Sequence, residues 1–146
     1  MTSETSSGPY SSDVLRLAAD IPRIGRLADP DASAHRVARL CGSTLDLDLK
    51  VGDGVVTDLG LEVQACALGQ AAASVLAREG VGAGVGEVYE ARDALKAMLK
   101  QDGPAPQGRF AALAALQPAR DYPARHGSIL LAFEAACEAL DRLDAR

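Results

Sequence analysis

Five side chains in this sequence carry the chemistry that a soft metal or a sulfur nucleophile needs: Cys41, Cys66, Cys137, His35 and His126. Thiolates and imidazoles are the donors that a soft metal takes up. No C-x-x-C spacing is present, and the three cysteines are odd in number and far apart. That pattern fits free thiols in a reducing cytoplasm and not a disulfide framework. Cys41 and Cys66 must therefore be brought together by the fold if they are to share a ligand.

The segment between them is built to do that. Leu45, Leu47, Leu49 and Val51 alternate with Asp46, Asp48 and Lys50, then Gly52-Asp53-Gly54 supplies turn chemistry. Leu59, Leu61, Val63 and Ala65 alternate with Asp58, Gly60, Glu62 and Gln64. The pair reads as an antiparallel hairpin with one wet face. A three-residue turn sets Val51 against Val55, Leu45 against Leu61 and Leu47 against Leu59. Extrapolated to the open end, Cys41 lies opposite Ala65 and next to Cys66. From Ala67 the pattern turns helical, so Cys66 sits at a helix mouth, where free N–H groups and the positive end of the dipole stabilise a thiolate. Small buried hydrophobes are the other reading of both cysteines.

Elsewhere the chain reads as helices. Ser12 or Asp13 caps a short helix, Val14 to Ala19, which Pro22 ends. Residues 26–40 read as a loop with a turn at Asp29-Pro30-Asp31. Leu68, Ala71, Ala72, Val75 and Leu76 form one helical face that stops at Gly80, and a second helix follows from Glu87 to Lys100. A short helix is expected over Phe110 to Leu116, before Pro118. A last helix spans about Gly127 to Leu143, with Cys137 on its apolar stripe and His126 at its mouth, where it is a plausible third ligand. His35 falls in the loop before Cys41 and reads as solvated. The fold class is α+β, a small antiparallel sheet with helices packed on one face. Residues 1–11, rich in Ser and Thr, read as a disordered tail, and 12–146 as a single domain.

Composition narrows the functions. The chain has 146 residues, 3 % aromatics, no Trp, and a net charge of −5. Few aromatics and an acidic balance argue against nucleic acid as a partner. The longest uncharged run, Val63 to Ala77, is too short and too polar to span a membrane. The N-terminus has neither the basic region nor the apolar core of a secretory signal. Gly80-Val81-Gly82-Ala83-Gly84-Val85-Gly86 lacks both the G-x-G-x-x-G spacing and a following G-K-[ST], so it reads as a flexible connector. Asp46, Asp48 and Asp58 read as the wet sheet face. Two histidines support no Ser/His/Asp triad, and no catalytic residue is assigned.

At these residues the sequence resembles the NifU/IscU-type iron–sulfur cluster scaffold family, including its SufU-like members, over roughly residues 12–144. Ile21-Pro22-Arg23-Ile24-Gly25-Arg26-Leu27 resembles the family's N-P-R-N-x-G segment, and Cys41-Gly42-Ser43 its C-G-D motif. Ala65-Cys66-Ala67-Leu68-Gly69-Gln70-Ala71-Ala72-Ala73-Ser74 resembles the family's G-C-x-x-S-x-A-S segment at a helix start. His126-Gly127-Ser128-Ile129-Leu130 resembles H-C-S-I-L. Ser43 stands where the motif has Asp, and Gly127 where it has the third Cys.

The resemblance implies a binding and assembly protein, not an enzyme, that holds iron or a 2Fe–2S cluster through Cys41, Cys66 and His126. It implies a cysteine desulfurase and apo-protein acceptors as partners. A two-iron cluster takes four ligands, and the resemblance supplies three. A partner chain (a homodimer), glutathione or solvent would add the fourth. Two other functions stay open at this point. One is a zinc- or iron-binding regulatory protein of the same fold, with zinc as surrogate metal. The other is a persulfide-carrying sulfur-transfer accessory protein using Cys66 or Cys41.

Overall fold

The computed structural model describes residues 8–144. The element order is α1 (Ser12–Ala19), β1 (Ala32–Ala38), β2 (Ser43–Gly52), β3 (Val55–Gln64), α2 (Ala67–Glu79), α3 (Val85–Lys100), 3-10 turns over Gly108–Asp121 and Pro123–Arg125, and α4 (His126–Asp144). Of the tail expected over 1–11, residues 1–7 lie outside the described residues. Within the rest, Pro9 is buried and Ser11 is the cap of α1, its Oγ accepting the Val14 N–H at 3.2 Å. That cap lies one residue before the expected one.

The sheet has three antiparallel strands in the order β1-β2-β3. Residues 32–38 are therefore a strand and not part of a loop. Their inward positions are Ala32, Ala34, Arg36 and Ala38, which pair with Leu49, Leu47, Leu45 and Ser43. Three alanines and an arginine give only a weak apolar alternation, so the strand leaves little trace in the sequence.

The β2–β3 register differs from the expected one by two residues. Leu45 faces Val63, Leu47 faces Leu61 and Leu49 faces Leu59. The turn is the two-residue Asp53-Gly54, with φ of 55° and 75°, the type I′ geometry that Asp-Gly favours. Such a turn alone would put the two apolar sets on opposite faces. A bulge between Lys50 and Val51 leaves Thr57 unpaired and restores the match.

The inward face, with Leu45, Leu47, Leu49, Leu59 and Leu61 fully buried, carries the helices. α4 packs on β1 and β2, and α2 packs on β3 and α4. Phe110 and Phe133 meet edge to face, with centroids 5.4 Å apart. This is the expected α+β arrangement. The Gly-rich connector is held in place and not loose: Ala83 C=O accepts the Val56 N–H at 2.9 Å, and Gly54 C=O accepts the Val85 N–H at 2.9 Å.

The outer face is not uniformly wet. Asp46 is partly exposed, but Asp48 is only 1 % exposed. Arg26 donates to both its oxygens, at 2.9 and 3.0 Å, the Leu27 N–H donates at 2.9 Å, and Ser33 Oγ at 2.6 Å. A buried carboxylate is tolerated only when satisfied in this way. The same segment lies along the free edge of β3, where Gly25 N–H donates to Leu61 C=O and Leu61 N–H to Arg23 C=O. It passes so close to Gly60 that a Cβ there would stand 2.5 Å from the Gly25 carbonyl oxygen.

Candidate metal and thiol site

Three chain segments meet at one end of the sheet: the β1–β2 turn with Cys41, the start of α2 with Cys66, and the start of α4 with His126. Cys41 sits in the four-residue turn closed by the Gly42 N–H to Ala38 C=O bond of 2.8 Å, with Gly42 at φ 69°. It does not extend a strand end, as the longer hairpin expectation had it. Cys66 is the N-cap of α2 with extended backbone. Both cysteines are half-buried and free.

Two buried hydroxyls join them. Ser43 Oγ lies 3.7 Å from Cys41 Sγ and 2.9 Å from Ser128 Oγ, and Ser128 Oγ lies 3.6 Å from Cys66 Sγ. Ser43 and Ser128 are 2 % and 1 % exposed. Parity explains Ser43: it belongs to the inward set of β2, so the side chain at the position where the related motif has Asp points into the helices. Ser128 is drawn close by Gly69, because a Cβ at 69 would overlap Ser128 Oγ and come within 3.0 Å of its carbonyl oxygen.

Burial pushes the Cys66 thiol up, but opposing groups outweigh it. The Gly69 N–H, the Ser128 hydroxyl, the Leu68 N–H and the positive charge of Arg125 together hold its pKa below the ordinary value. The helix mouth thus does what its sequence position implied. Cys137 is the contrast. It is 1 % exposed on the apolar stripe of α4, and burial raises its thiol to about 12. It is a core residue.

His126 is 3 % exposed, and its Nε2 lies 3.1 Å from the Ala119 carbonyl. A carbonyl only accepts, so Nε2 carries the hydrogen, and Nδ1 is the nitrogen left for a metal. Metal-binding imidazoles are oriented by this kind of backbone hydrogen bond. Among the described residues, no three His, Cys, Asp or Glu side chains stand close enough together to hold a metal ion. The structure therefore pairs Cys41 with Cys66 through the serines and seats His126 at the start of the neighbouring helix. His35 is on β1, with Nδ1 2.8 Å from Asp46 Oδ1 on the exposed sheet face, away from this end. Gly127 is the second residue of α4 and exposed, and a Cβ there would meet only Ala38 Cβ, at 3.6 Å.

Sequence reasoning missed Gly69, Ser128 and Arg125 as parts of the site. Arg125 stands beside His126 in the sequence, and Ser128 one residue past Gly127, so the cluster of polar types around a helix start was the available signal.

Residues 9–128 match the NifU-like N terminal domain. The chain is 28 % identical over 134 residues to the iron–sulfur cluster assembly scaffold protein IscU of Thermotoga maritima, covering 92 % of this chain and 94 % of that one. Its structure superposes with a TM-score of 0.93 on the N-terminal part of a nitrogen-fixing NifU-like protein from Brucella abortus. The two are 50 % identical, and the match covers 94 % of this chain and 95 % of the other. An iron–sulfur cluster assembly scaffold protein for the SUF system from Fervidobacterium islandicum AW-1 shares the fold, at a TM-score of 0.83 and 18 % identity over 90 % of this chain and 96 % of that one. The chain belongs to the NifU-like N-terminal domain family, a family of iron–sulfur cluster assembly scaffolds. Proteins of this family are in general not enzymes. No helix among the described residues is long and apolar enough to cross a membrane.

Proposed function

We propose that this chain holds iron or a 2Fe–2S cluster on Cys41, Cys66 and His126 and hands it to apo-proteins, with sulfur supplied by a cysteine desulfurase. The observation that carries the reading is the pairing of two free cysteines through Ser43 and Ser128 at the mouth of α2, with the Cys66 thiolate favoured. Thiolate is the form that ligates iron. His126 joins through Nδ1, the nitrogen its Ala119 hydrogen bond leaves open. Binding draws the Cys41 turn toward Cys66 and the start of α4. Half-buried free thiols of this kind suit a reducing cytoplasm.

Zinc is the second reading. Two thiolates and one imidazole leave one position open, which is also the donor set of a tetrahedral zinc site. Anaerobic reconstitution with iron and sulfide, analysed for both elements beside the visible spectrum, separates the two. Bound iron and sulfide in equal amounts, lost in Cys41→Ser and Cys66→Ser, supports the cluster. Zinc retention with no sulfide uptake supports the alternative.

A further inference from the structure

Next to Gly127 the surface sinks into a pocket of about 330 Å³ between the end of β1, α3 and α4. Arg36, Arg39, Lys96 and Lys100 ring it, and Leu130 and Leu131 are among its lining residues. Glu134 is the one carboxylate in the lining, and it already faces Arg92 at 3.0 Å and Lys96 at 4.0 Å. Arg36 is spent on Glu138 at 2.8 Å. Arg39 and Lys100 have no acidic partner among the described residues. In a chain of net charge −5 this is a local concentration of positive charge, with two cations left to receive anionic groups.

The pocket's position adds to its charge. Arg39 is two residues before Cys41, and Gly127 immediately precedes Ser128, which touches Cys66. Gly127 has no side chain to close that end, and a Cβ there would touch only Ala38. Through Arg39 and Gly127 the pocket adjoins, along the chain, both the Cys41 turn and Ser128, and it includes the position where the resembling motif has its third cysteine. Its volume suits a molecule the size of a tripeptide and is too small for a folded partner.

We propose that this pocket binds a small carboxylate-bearing thiol of the glutathione class, whose sulfur passes Gly127 to complete the set of Cys41, Cys66 and His126. The inference rests on the ligand reading above. The two carboxylates pair with Arg39 and Lys100, and the aliphatic backbone of the ligand lies on Leu130 and Leu131. On ligation the thiol gives its proton to solvent and binds as thiolate, with no change of oxidation state.

The test begins without metal. The full chain, isotopically labelled, is titrated with S-methylglutathione, which has the carboxylates but cannot ligate. Amide shifts at Arg39, Lys100 and Gly127 are expected, and binding about tenfold weaker or absent in Arg39→Glu/Lys100→Glu. Both changed residues are exposed, and Arg39→Gln/Lys100→Gln provides a second, milder variant. Cys41→Ser/Cys66→Ser should bind as the natural chain does. Reconstituted protein is then followed in air with and without reduced glutathione. Glutathione should prolong the cluster's visible absorbance in the natural chain at least about threefold. S-methylglutathione should not, and neither compound should do so in the charge-reversed variant. No amide shifts, or equal shifts in the charge-reversed chain, would overturn the proposal. So would inorganic phosphate displacing the peptide at equal ionic strength. A chain that assembles a cluster through Cys41 and Cys66 but ignores glutathione keeps the scaffold reading and loses this one. A chain whose Cys41→Ser and Cys66→Ser variants assemble clusters normally loses the ligand reading, whatever the pocket binds.

Discussion

Ser43 Oγ and Ser128 Oγ lie 2.9 Å apart although 85 residues separate them. Each also touches a different cysteine, at 3.7 and 3.6 Å. Two hydroxyls have two protons between them. If one donates to the other, the sulfur beside the donating serine loses its hydroxyl donor. If both donate outward, the serine–serine bond is lost. The pair therefore ties the start of β2 to the start of α4 and shares its donors between the two sulfurs.

Removing one hydroxyl should cost more than half of removing both. Ser128→Ala leaves Ser43 buried with only a sulfur contact, a loss of about 1–2 kcal/mol. Adding Ser43→Ala should then cost less than it does alone, since the orphan is removed as well. A urea-unfolding double-mutant cycle with a coupling of about 0.5–1.5 kcal/mol is expected. Strict additivity would mean that the two hydroxyls do not depend on each other.

Asp48 sets an acid limit on stability. The Arg26 guanidinium, above all, holds its carboxyl below the ordinary range, helped by Ser33 and the Leu27 N–H against the cost of burial. A carboxylate depressed in the folded state contributes stability that is present above its unfolded pKa of about 3.9 and is lost as pH falls through the folded value. The natural chain should therefore weaken below about pH 4. Asp48→Asn should be less stable by about 2–3 kcal/mol at pH 7 and show a flatter acid limb. Thermal unfolding from pH 7 to pH 2.5 provides the comparison, and parallel curves for the two proteins would remove Asp48 from this role.

The same residue shows where sequence reading stops. Asp48 alternates with Leu47 and Leu49 as a wet-face residue would, and the alternation is real. What covers it is a segment twenty-two residues earlier, with no periodic signal of its own. β1 was hidden for a related reason: its inward side chains are three alanines and an arginine that reaches Glu138 on α4. The β2–β3 hairpin, α2, α3 and α4 were legible because Leu, Val and Ala recur at strand or helix period. The pairing parity was legible too, while the register depended on a bulge that no local residue announces. Cys66 was legible as a helix-mouth thiol. The serine bridge was not, since a hydroxyl's partner is fixed only by tertiary approach, and here Gly69 permits it.

Gly69→Ala sets two effects against each other. Alanine is favoured over glycine by about 1 kcal/mol in a helix interior and by less in the first turn, where Gly69 sits. The added methyl would overlap Ser128 Oγ and stand 2.9 Å from Ala65 Cβ, and overpacking of this kind costs about 1–3 kcal/mol. The clash should win, giving net destabilisation of about 1–2 kcal/mol in urea titrations. Because the displaced contact is Ser128 with Cys66, alkylation of Cys66 at neutral pH should also slow. A stabilised variant would show that α2 and α4 have room at this point.

Cys137 should behave as a core side chain. Burial raises its thiol to about 12, so under native conditions iodoacetamide should modify Cys41 and Cys66 and leave Cys137 intact. Cys137→Ser places a hydroxyl in an apolar setting and should cost about 1–3 kcal/mol. Iron and sulfide uptake per folded chain should be unchanged. Loss of uptake in that variant alone would move the ligand set into the core of α4.

Gly127→Cys should strengthen cluster holding. A side chain at 127 would meet only Ala38 Cβ, at an ordinary 3.6 Å, and the residue is exposed at the start of α4, so the thiol enters without strain. The free N–H groups of the first helical turn favour its thiolate. A third sulfur beside Cys41 and Cys66 brings the ligand count from three to four, the number a two-iron cluster takes from protein. The variant should keep its visible absorbance in air longer than the natural chain prepared in the same way. If the acidic thiol proposed for the neighbouring pocket fills this position in the natural protein, glutathione should add nothing to the variant's lifetime. Equal decay of the two proteins without glutathione would mean that residue 127 faces the pocket alone and not the cluster.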